Sequence, residues 1–294
     1  MEKTNKMTIS SYQATDGMSL SYRYWAGIPG RPVIVHLHGI EGHSEWVEPT
    51  ANILNEMGMT VYAPDRRGSG LNGLYRGHVP NYQQVLADIK EILLIAGKEK
   101  GPLFLVGNCW GAKPAAVLIS QWQKGKTDLP PIKGLILTSP ALITKADLSF
   151  PQKIMVAIKW ITGMKSVIPI PLTPEMFTDN KPYLDFITND PKRLTHVTAH
   201  FFANTFFLTE MAKAMAGGIR LPVLVMQAGR DEIVDLPAIE KWFSKIASED
   251  KTFKLFPWMA HSLDFDSKAE EYIGTLINWI NERASNGGNS NENN

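Results

Sequence analysis

The chain has 294 residues, of which 44% are hydrophobic and 20% are charged, a composition typical of a globular protein. This length suits one large α/β domain, or one domain that carries an insertion. The 30 basic and 29 acidic residues nearly balance, so nothing indicates nucleic acid or an acidic membrane surface as a partner. One cysteine cannot form an internal disulfide, and no segment has the pattern of a signal peptide or a membrane span. We therefore predict a cytoplasmic protein.

Predicted strands and helices alternate along most of the chain. Strands are predicted where apolar and β-branched residues run together between turn residues, at residues 9–14, 18–25, 32–37, 60–63, 102–106, 132–138, 222–227 and 252–256. Helices are predicted over residues 47–57 and 82–96, from Trp110 onward, and after a capping box at Ser267–Glu270. This alternation predicts an α/β protein with a doubly wound, mostly parallel sheet.

Residues 141–218 interrupt the alternation. They contain no convincing core strand, and their helical stretches are rich in methionine, tryptophan and phenylalanine. Many of these side chains are expected to form the segment's own small core, but we predict that the segment is also a helical lid over the sheet. Trp160, Phe206 and Phe207 are the predicted lining of an acyl pocket. The resulting domains are a core in two parts, the lid, and a disordered tail, at residues 1–140, 219–285, 141–218 and 286–294.

The only cysteine lies in a five-residue motif, Gly107-Asn108-Cys109-Trp110-Gly111, directly after the predicted strand 102–106. The motif predicts a strand that turns sharply into a helix, with Cys109 at the apex. Strand and helix pack closely at such a turn, and the two glycines leave the room that this needs. A free cysteine is most often a small buried apolar residue. Its place between two glycines favours a nucleophile instead.

A nucleophilic cysteine needs a base and an acid that orients the base. Asp231 follows the predicted strand 222–227, and His261 follows the strand 252–256, so both are predicted at the edge of the sheet that carries the cysteine. Asp235 is the alternative acid, although capping of the next helix also explains it.

An oxyanion hole is predicted from two backbone N–H groups. Trp110 supplies one, and Ile40 in the loop at residues 38–44 supplies the other, where Gly39 lets the backbone turn inward. His38 and His43 are interpreted as supports for this loop rather than as catalysts.

Together these motifs resemble those of the α/β-hydrolases, and within them the monoacylglycerol lipase and lysophospholipase group. The resemblance rests on a His-Gly-x-x-x-His-Ser loop at residues 38–44, an Asp-x-Arg-Gly-x-Gly turn at residues 65–70, the acid turn ending at Asp231, and His261. It covers residues 9–284 and is weakest in the lid. It implies the α/β-hydrolase fold and acyl hydrolysis. Two features depart from the group: the elbow residue is cysteine rather than serine, and the acid turn reads Ala-Gly-Arg-Asp rather than Gly-x-x-Asp.

A cysteine changes the expected chemistry, because a thiol ionises more readily than an alcohol and forms a thioester. The sequence predicts a hydrolase that cleaves an apolar acyl ester or thioester through an acyl-cysteine intermediate. An acyltransferase, a cyclase and a carrier-releasing thioesterase would use the same intermediate, and a non-enzymatic binding protein of this fold is a further alternative. The predicted partner is a small acyl substrate, with an acyl carrier as an open second one. No cofactor or metal is predicted.

Overall fold

The computed structural model describes residues 7–164 and 166–285, and the predicted tail at 286–294 lies outside them. The strands in this part of the chain are β1 (Thr8–Gln13), β2 (Ser19–Trp25), β3 (Val33–Leu37), β4 (Thr60–Pro64), β5 (Leu103–Asn108), β6 (Ile132–Thr138), β7 (Val167–Pro169), β8 (His196–Thr198), β9 (Val223–Ala228) and β10 (Lys251–Phe256). The α-helices are α1 (Glu48–Glu56), α2 (Tyr82–Ala96), α3 (Ala112–Gln123), α4 (Phe150–Ile161), α5 (Lys181–Asn189), α6 (Ala199–Met215), α7 (Leu236–Ser244) and α8 (Ala269–Ser285).

Eight strands form one sheet in the order β1-β2-β4-β3-β5-β6-β9-β10. The hairpin β1–β2 is antiparallel, and β2 pairs antiparallel with β4. All other neighbours in this sheet are parallel. The predicted doubly wound, mostly parallel sheet is therefore confirmed.

Side chains of the central strands alternate between two apolar layers. Leu103 and Leu105 of β5 pack with residues of α2 and α3 on one face of the sheet. Phe104 and Val106 pack with residues of α1 and α8 on the other face. Because both faces are covered, these strands are apolar at every position, as their sequence predicts.

The starts of two predicted helices differ from the structure. A 3-10 helix at Cys109–Gly111 follows β5, and the α-helix begins only at Ala112, because the sharp turn takes up the first residues. The capping box at Ser267–Glu270 is wrong: the last helix begins at Ala269, and the carboxylate of Asp266 accepts the N–H of Lys268 at 3.0 Å. The recorded side-chain acceptor at the start of this helix is thus Asp266 rather than Ser267.

Between β6 and β9, the described residues form three α-helices, two 3-10 helices and one small sheet. The strands β7 and β8 pair antiparallel with each other and lie outside the main sheet. Helix α6 packs against α3 of the core and against α4. This segment thus covers α3, the helix that follows Cys109, as a lid would. Its role in substrate selection stays a prediction. None of the described helices is both long and apolar enough to cross a bilayer.

Candidate active site

The turn after β5 holds Cys109 in a conformation that few residues other than glycine adopt, with φ of +51°. A Cβ added at Gly107 would lie 2.8 Å from the Cα of Ala112, and one at Gly111 would lie 2.7 Å from the backbone oxygen of Leu37. Both positions therefore exclude any larger side chain. The close packing places Cys109 where β5 meets α3, with only 3% of the residue exposed.

His261 and Asp231 form a buried pair near this turn. The imidazole Nδ1 lies 2.8 Å and 3.0 Å from the two carboxylate oxygens of Asp231. The same carboxylate accepts the backbone N–H groups of Ile233 and Val234 and the side-chain amide of Gln227, each at 2.9 Å. Burial alone would raise the pKa of Asp231, but the charge of His261 and these hydrogen bonds lower it. Asp231 is thus held ionised against the imidazole.

Asp235, the alternative acid, lies at the start of α7. Its carboxylate accepts the N–H of Ala238 at 3.1 Å, and it therefore caps the helix. Of the two candidate acids, only Asp231 contacts His261 in the part of the chain that the structure describes.

The far nitrogen of the imidazole is free to exchange a proton. Within residues 7–164 and 166–285, Nε2 of His261 has no hydrogen-bond partner. Burial opposes a charged imidazole, yet the negative charge of Asp231 and the interaction with Cys109 raise the pKa of His261 well above its ordinary value. The backbone oxygen of His261 accepts the hydroxyl of Ser139 at 2.6 Å, which fixes the loop. An imidazole whose pKa is raised in this way is suited to hold a proton, and its role as the base for Cys109 stays a prediction.

The two predicted oxyanion donors lie beside Cys109 in the wall of one cavity. The N–H of Ile40 donates no hydrogen bond inside the described chain, and the N–H of Trp110 lies in the first turn of a 3-10 helix, where such groups have no intrahelical partner. A Cβ at Gly39 would lie 3.1 Å from the Cβ of Cys109, so glycine lets the loop approach the cysteine. Their role as an oxyanion hole stays a prediction.

Arg66 supports the loop at residues 38–44, a role that the sequence analysis did not predict. Its guanidinium donates to the backbone oxygens of Gly39 at 3.2 Å and of Ile40 at 2.8 Å. The rings of Trp110 and Phe201 lie 4.6 Å and 5.0 Å from its central carbon. Burial lowers the pKa of Arg66 to about 9. Because the carbonyls of Gly39 and Ile40 are held by Arg66, the loop has a fixed orientation next to Cys109.

The lid holds the other end of this loop. The carboxylate of Asp190 accepts hydrogen bonds from His43 Nε2 and from the indole of Trp46, each at 2.8 Å. Arg193 donates to the carboxylate of Glu41 at 2.7 Å. On the core side, His38 Nε2 accepts the backbone N–H of Arg66 at 3.0 Å. The structure thus places His38 and His43 in supporting contacts of the loop.

A cavity of about 690 Å³ opens on Cys109 between the core and the lid. The three predicted pocket residues all line it, and the ring of Trp160 meets the ring of Phe207 edge-on at 5.6 Å. Phe206 is 60% exposed and therefore lies where the cavity meets solvent. Further apolar residues of the wall, which the sequence did not single out, are Leu142, Ile143, Leu148, Val156, Ile170, Leu172, Phe202 and Ile233.

Comparison with known proteins gives consistent results. The model of the family described as Serine aminopeptidase, S33 matches residues 29–268. Phospholipase YtpA of Bacillus subtilis (strain 168) is 26% identical over 255 residues, which are 84% of this chain and 95% of that protein. Monoglyceride lipase of Rattus norvegicus is 23% identical over 280 residues, 91% of this chain and 88% of the relative. The crystal structure of a soluble variant of monoglyceride lipase from Saccharomyces cerevisiae, in complex with a substrate analog, has a TM-score of 0.83 at 18% identity and covers 97% of each chain.

Proposed function

The chain belongs to the Serine aminopeptidase, S33 family of α/β-hydrolases, and we propose that it cleaves apolar esters or thioesters through an acyl-cysteine intermediate on Cys109. The observation that supports this most strongly is the position of Cys109 beside His261, which Asp231 contacts, and in the wall of a mostly apolar cavity of about 690 Å³. The similarity to a phospholipase and to monoglyceride lipases makes a lipid ester the first substrate to test.

In the first step, His261 Nε2 takes the thiol proton of Cys109, and Asp231 stabilises the imidazolium through Nδ1–H. The thiolate attacks the carbonyl carbon of the substrate, a C–S bond forms, and the carbonyl oxygen becomes an oxyanion. The N–H groups of Ile40 and Trp110 would donate to this oxygen. The oxyanion then collapses, the bond to the leaving alcohol or thiol breaks, and His261 gives its proton to that leaving group.

In the second step the thioester on Cys109 reacts with water. His261 removes a proton from the water, whose oxygen attacks the acyl carbon, and the same N–H groups stabilise the second oxyanion. The C–S bond breaks, the thiolate takes its proton back from His261, and the acid leaves. No group other than the protein and water is needed.

An apolar surface on α4 supports a substrate drawn from a lipid phase. One side of α4 contributes Val156 and Trp160 to the cavity wall. Other positions of the helix expose large apolar side chains, with Phe150 and Ile161 each 76% exposed and Ile158 55% exposed. Exposed apolar patches of this kind mark sites of interaction with membranes or partners.

The intermediate can be tested by weighing the intact protein after mixing it with p-nitrophenyl decanoate or a decanoyl thioester. We expect the wild type to gain one decanoyl group, and Cys109→Ala to gain none while keeping its circular dichroism spectrum. Since Cys109 is the only cysteine, iodoacetamide should add a single group and stop turnover. Turnover of these substrates by Cys109→Ala at the wild-type rate would contradict the proposal.

Acyl transfer is a second candidate, favoured by one observation: the residue at the elbow is a cysteine, and a thioester passes its acyl group readily to amines and thiols. Added alcohol, amine or thiol acceptors distinguish the two reactions. A hydrolase releases mainly free acid at millimolar acceptor concentrations, whereas a transferase releases mainly the new ester, amide or thioester.

A further inference from the structure

The wall of the cavity carries five charged side chains, and four of them are paired with one another. Lys153 pairs with Asp147, and Lys213 pairs with Glu210 at 2.8 Å. The fifth is Lys113, which forms no ion pair with any carboxylate in the part of the chain that the structure describes. Asp147 and Glu210 act on Lys113 only beyond ion-pair distance, and each is already paired with another lysine.

Lys113 belongs to α3, the helix that follows Cys109, and it lines the cavity. It lies four residues after Cys109, and both residues line the same cavity. Only 5% of Lys113 is exposed. Its ammonium group has three donors and uses one of them within the described chain, on the hydroxyl of Thr209 in α6 at 2.8 Å. Burial lowers the pKa of Lys113 to about 8, so at neutral pH the charged form still predominates.

We propose that Lys113 and Thr209 form a carboxylate-binding subsite in the acyl cavity, so that the preferred substrate carries a carboxylate on its acyl chain. The inference rests on the proposed function, because the thioester at Cys109 fixes one end of the acyl chain. At the other end, the carboxylate accepts hydrogen bonds from the ammonium of Lys113 and from the hydroxyl of Thr209. The apolar wall residues then contact the methylene groups between the two ends.

The chemistry of the wall favours an anion over a neutral chain end. A buried ammonium with one hydrogen bond and no direct ion pair is costly, and a substrate carboxylate would supply a direct partner. A plain alkyl chain of equal length would fill the same volume and leave the ammonium unpaired. A hydrogen bond between the ammonium and a carboxylate is also stronger than one between neutral groups. The subsite therefore discriminates between acyl chains of equal length, and it does so inside an otherwise apolar cavity.

The test compares p-nitrophenyl half-esters of dicarboxylic acids of six, eight and ten carbons with the same compounds after methylation of the free carboxylate. For the wild type, we expect kcat/KM to favour the carboxylate by about tenfold to a hundredfold at the best chain length. Lys113→Met should abolish this preference while still cleaving the methylated ester, and Lys113→Arg should keep part of it. Lys126→Met, an exposed lysine beyond the end of α3, is the matched control and should keep the wild-type ratio.

The pH profile of the wild type gives a second readout that needs no variant. The preference should be full between about pH 6, where the substrate carboxylate is ionised, and the pKa of Lys113 at about 8, and it should decline above that as the ammonium loses its proton. The charged or titratable groups that act on this ammonium are Cys109, Lys213, Asp147 and Glu210, and their effect on the reaction itself cancels in the ratio of the two substrates. A wild type that cleaves both members of each pair equally well overturns the subsite but leaves the proposed function standing. Equal loss of activity on both members in Lys113→Met also overturns it, since Lys113 would then act on Cys109 rather than on the substrate.

If neither ester is cleaved, the proposed function fails, and calorimetry tests the subsite alone. Monomethyl suberate should then bind the wild type at least about tenfold more tightly than dimethyl suberate, and Lys113→Met should bind the two equally. Equal binding of both to the wild type overturns the subsite.

Discussion

Asp264 is a buried carboxyl group close to the site, and its replacement should stabilise the protein at neutral pH. The residue is 7% exposed and lies three positions after His261. Burial raises the pKa of Asp264 from its ordinary value of 3.8 to about 7. The folded protein therefore favours the protonated form of this group much more strongly than the unfolded chain does.

The sign and size of the effect follow from linkage between protonation and folding. Below pH 4 the carboxyl group is protonated in both states, and its burial carries no charge penalty. As the pH rises from 4 to 7, the unfolded chain releases the proton first, so the free energy of unfolding falls. Because the pKa rises from 3.8 to about 7, ionisation of this group lowers the free energy of unfolding by about 4 kcal/mol once the pH is above 7. Asp264→Asn cannot ionise and should avoid this loss.

Urea unfolding of wild type and Asp264→Asn at pH 4, 6 and 8 measures the effect. We expect nearly equal stability at pH 4 and an advantage for the variant that grows to as much as about 4 kcal/mol at pH 8. The exposed Asp128→Asn substitution is the control and should follow the wild type throughout. If Asp264→Asn is no more stable than the wild type at pH 8, the reasoning from burial is refuted.

Three further predictions concern activity. Asp231→Asn should lower kcat by orders of magnitude in an ester assay, because Asp231 contacts His261. Asp235→Asn should keep a kcat near the wild-type value, because Asp235 caps α7 instead. If Asp235→Asn loses more activity than Asp231→Asn, the two roles must be exchanged. Arg66→Met should lower kcat/KM about tenfold to a hundredfold with little change in KM, because the carbonyls that Arg66 holds lose their donors; an unchanged kcat would show that the loop is rigid without it. Phe207→Ala should shift the optimal acyl chain length in a series of alkyl esters without loss of the smallest ester, since Phe207 lines the cavity; an unshifted optimum would place its role in packing alone.

Local sequence was sufficient to predict the elbow and the sheet. Gly107 packs against its sequence neighbours Gly111 and Ala112, and Gly111 packs against the backbone of Leu37, yet both glycines are visible in one short motif. The buried strands are apolar on both faces, so each one can be recognised in the sequence as a short run of apolar residues. Asp231 and His261 were predicted from their places after two strands of the sheet, and the structure brings the two residues together.

Contacts between distant segments could not be predicted in this way. Arg66 occupies the variable position of its turn, and its partners are two carbonyls 26 and 27 residues away, which no motif specifies. Lys113 resembles any lysine of an amphipathic helix until α6 covers it. The strands β7 and β8 have three residues each, too few for a strand pattern to be recognised. In each case the information lies in contacts between segments that are distant in sequence.

The hydrogen bonds between Asp190, Arg193 and the loop at residues 38–46 affect how this lid could be exchanged between relatives. A graft that replaced the whole of residues 141–218 would remove the acceptor of His43 and Trp46 and the partner of Glu41. Glu41 would then remain in the host as a buried carboxylate without its arginine. The part of the lid that can be exchanged alone is therefore the stretch around α4. The chain from Asp190 onward must be exchanged together with the loop to which it is hydrogen-bonded.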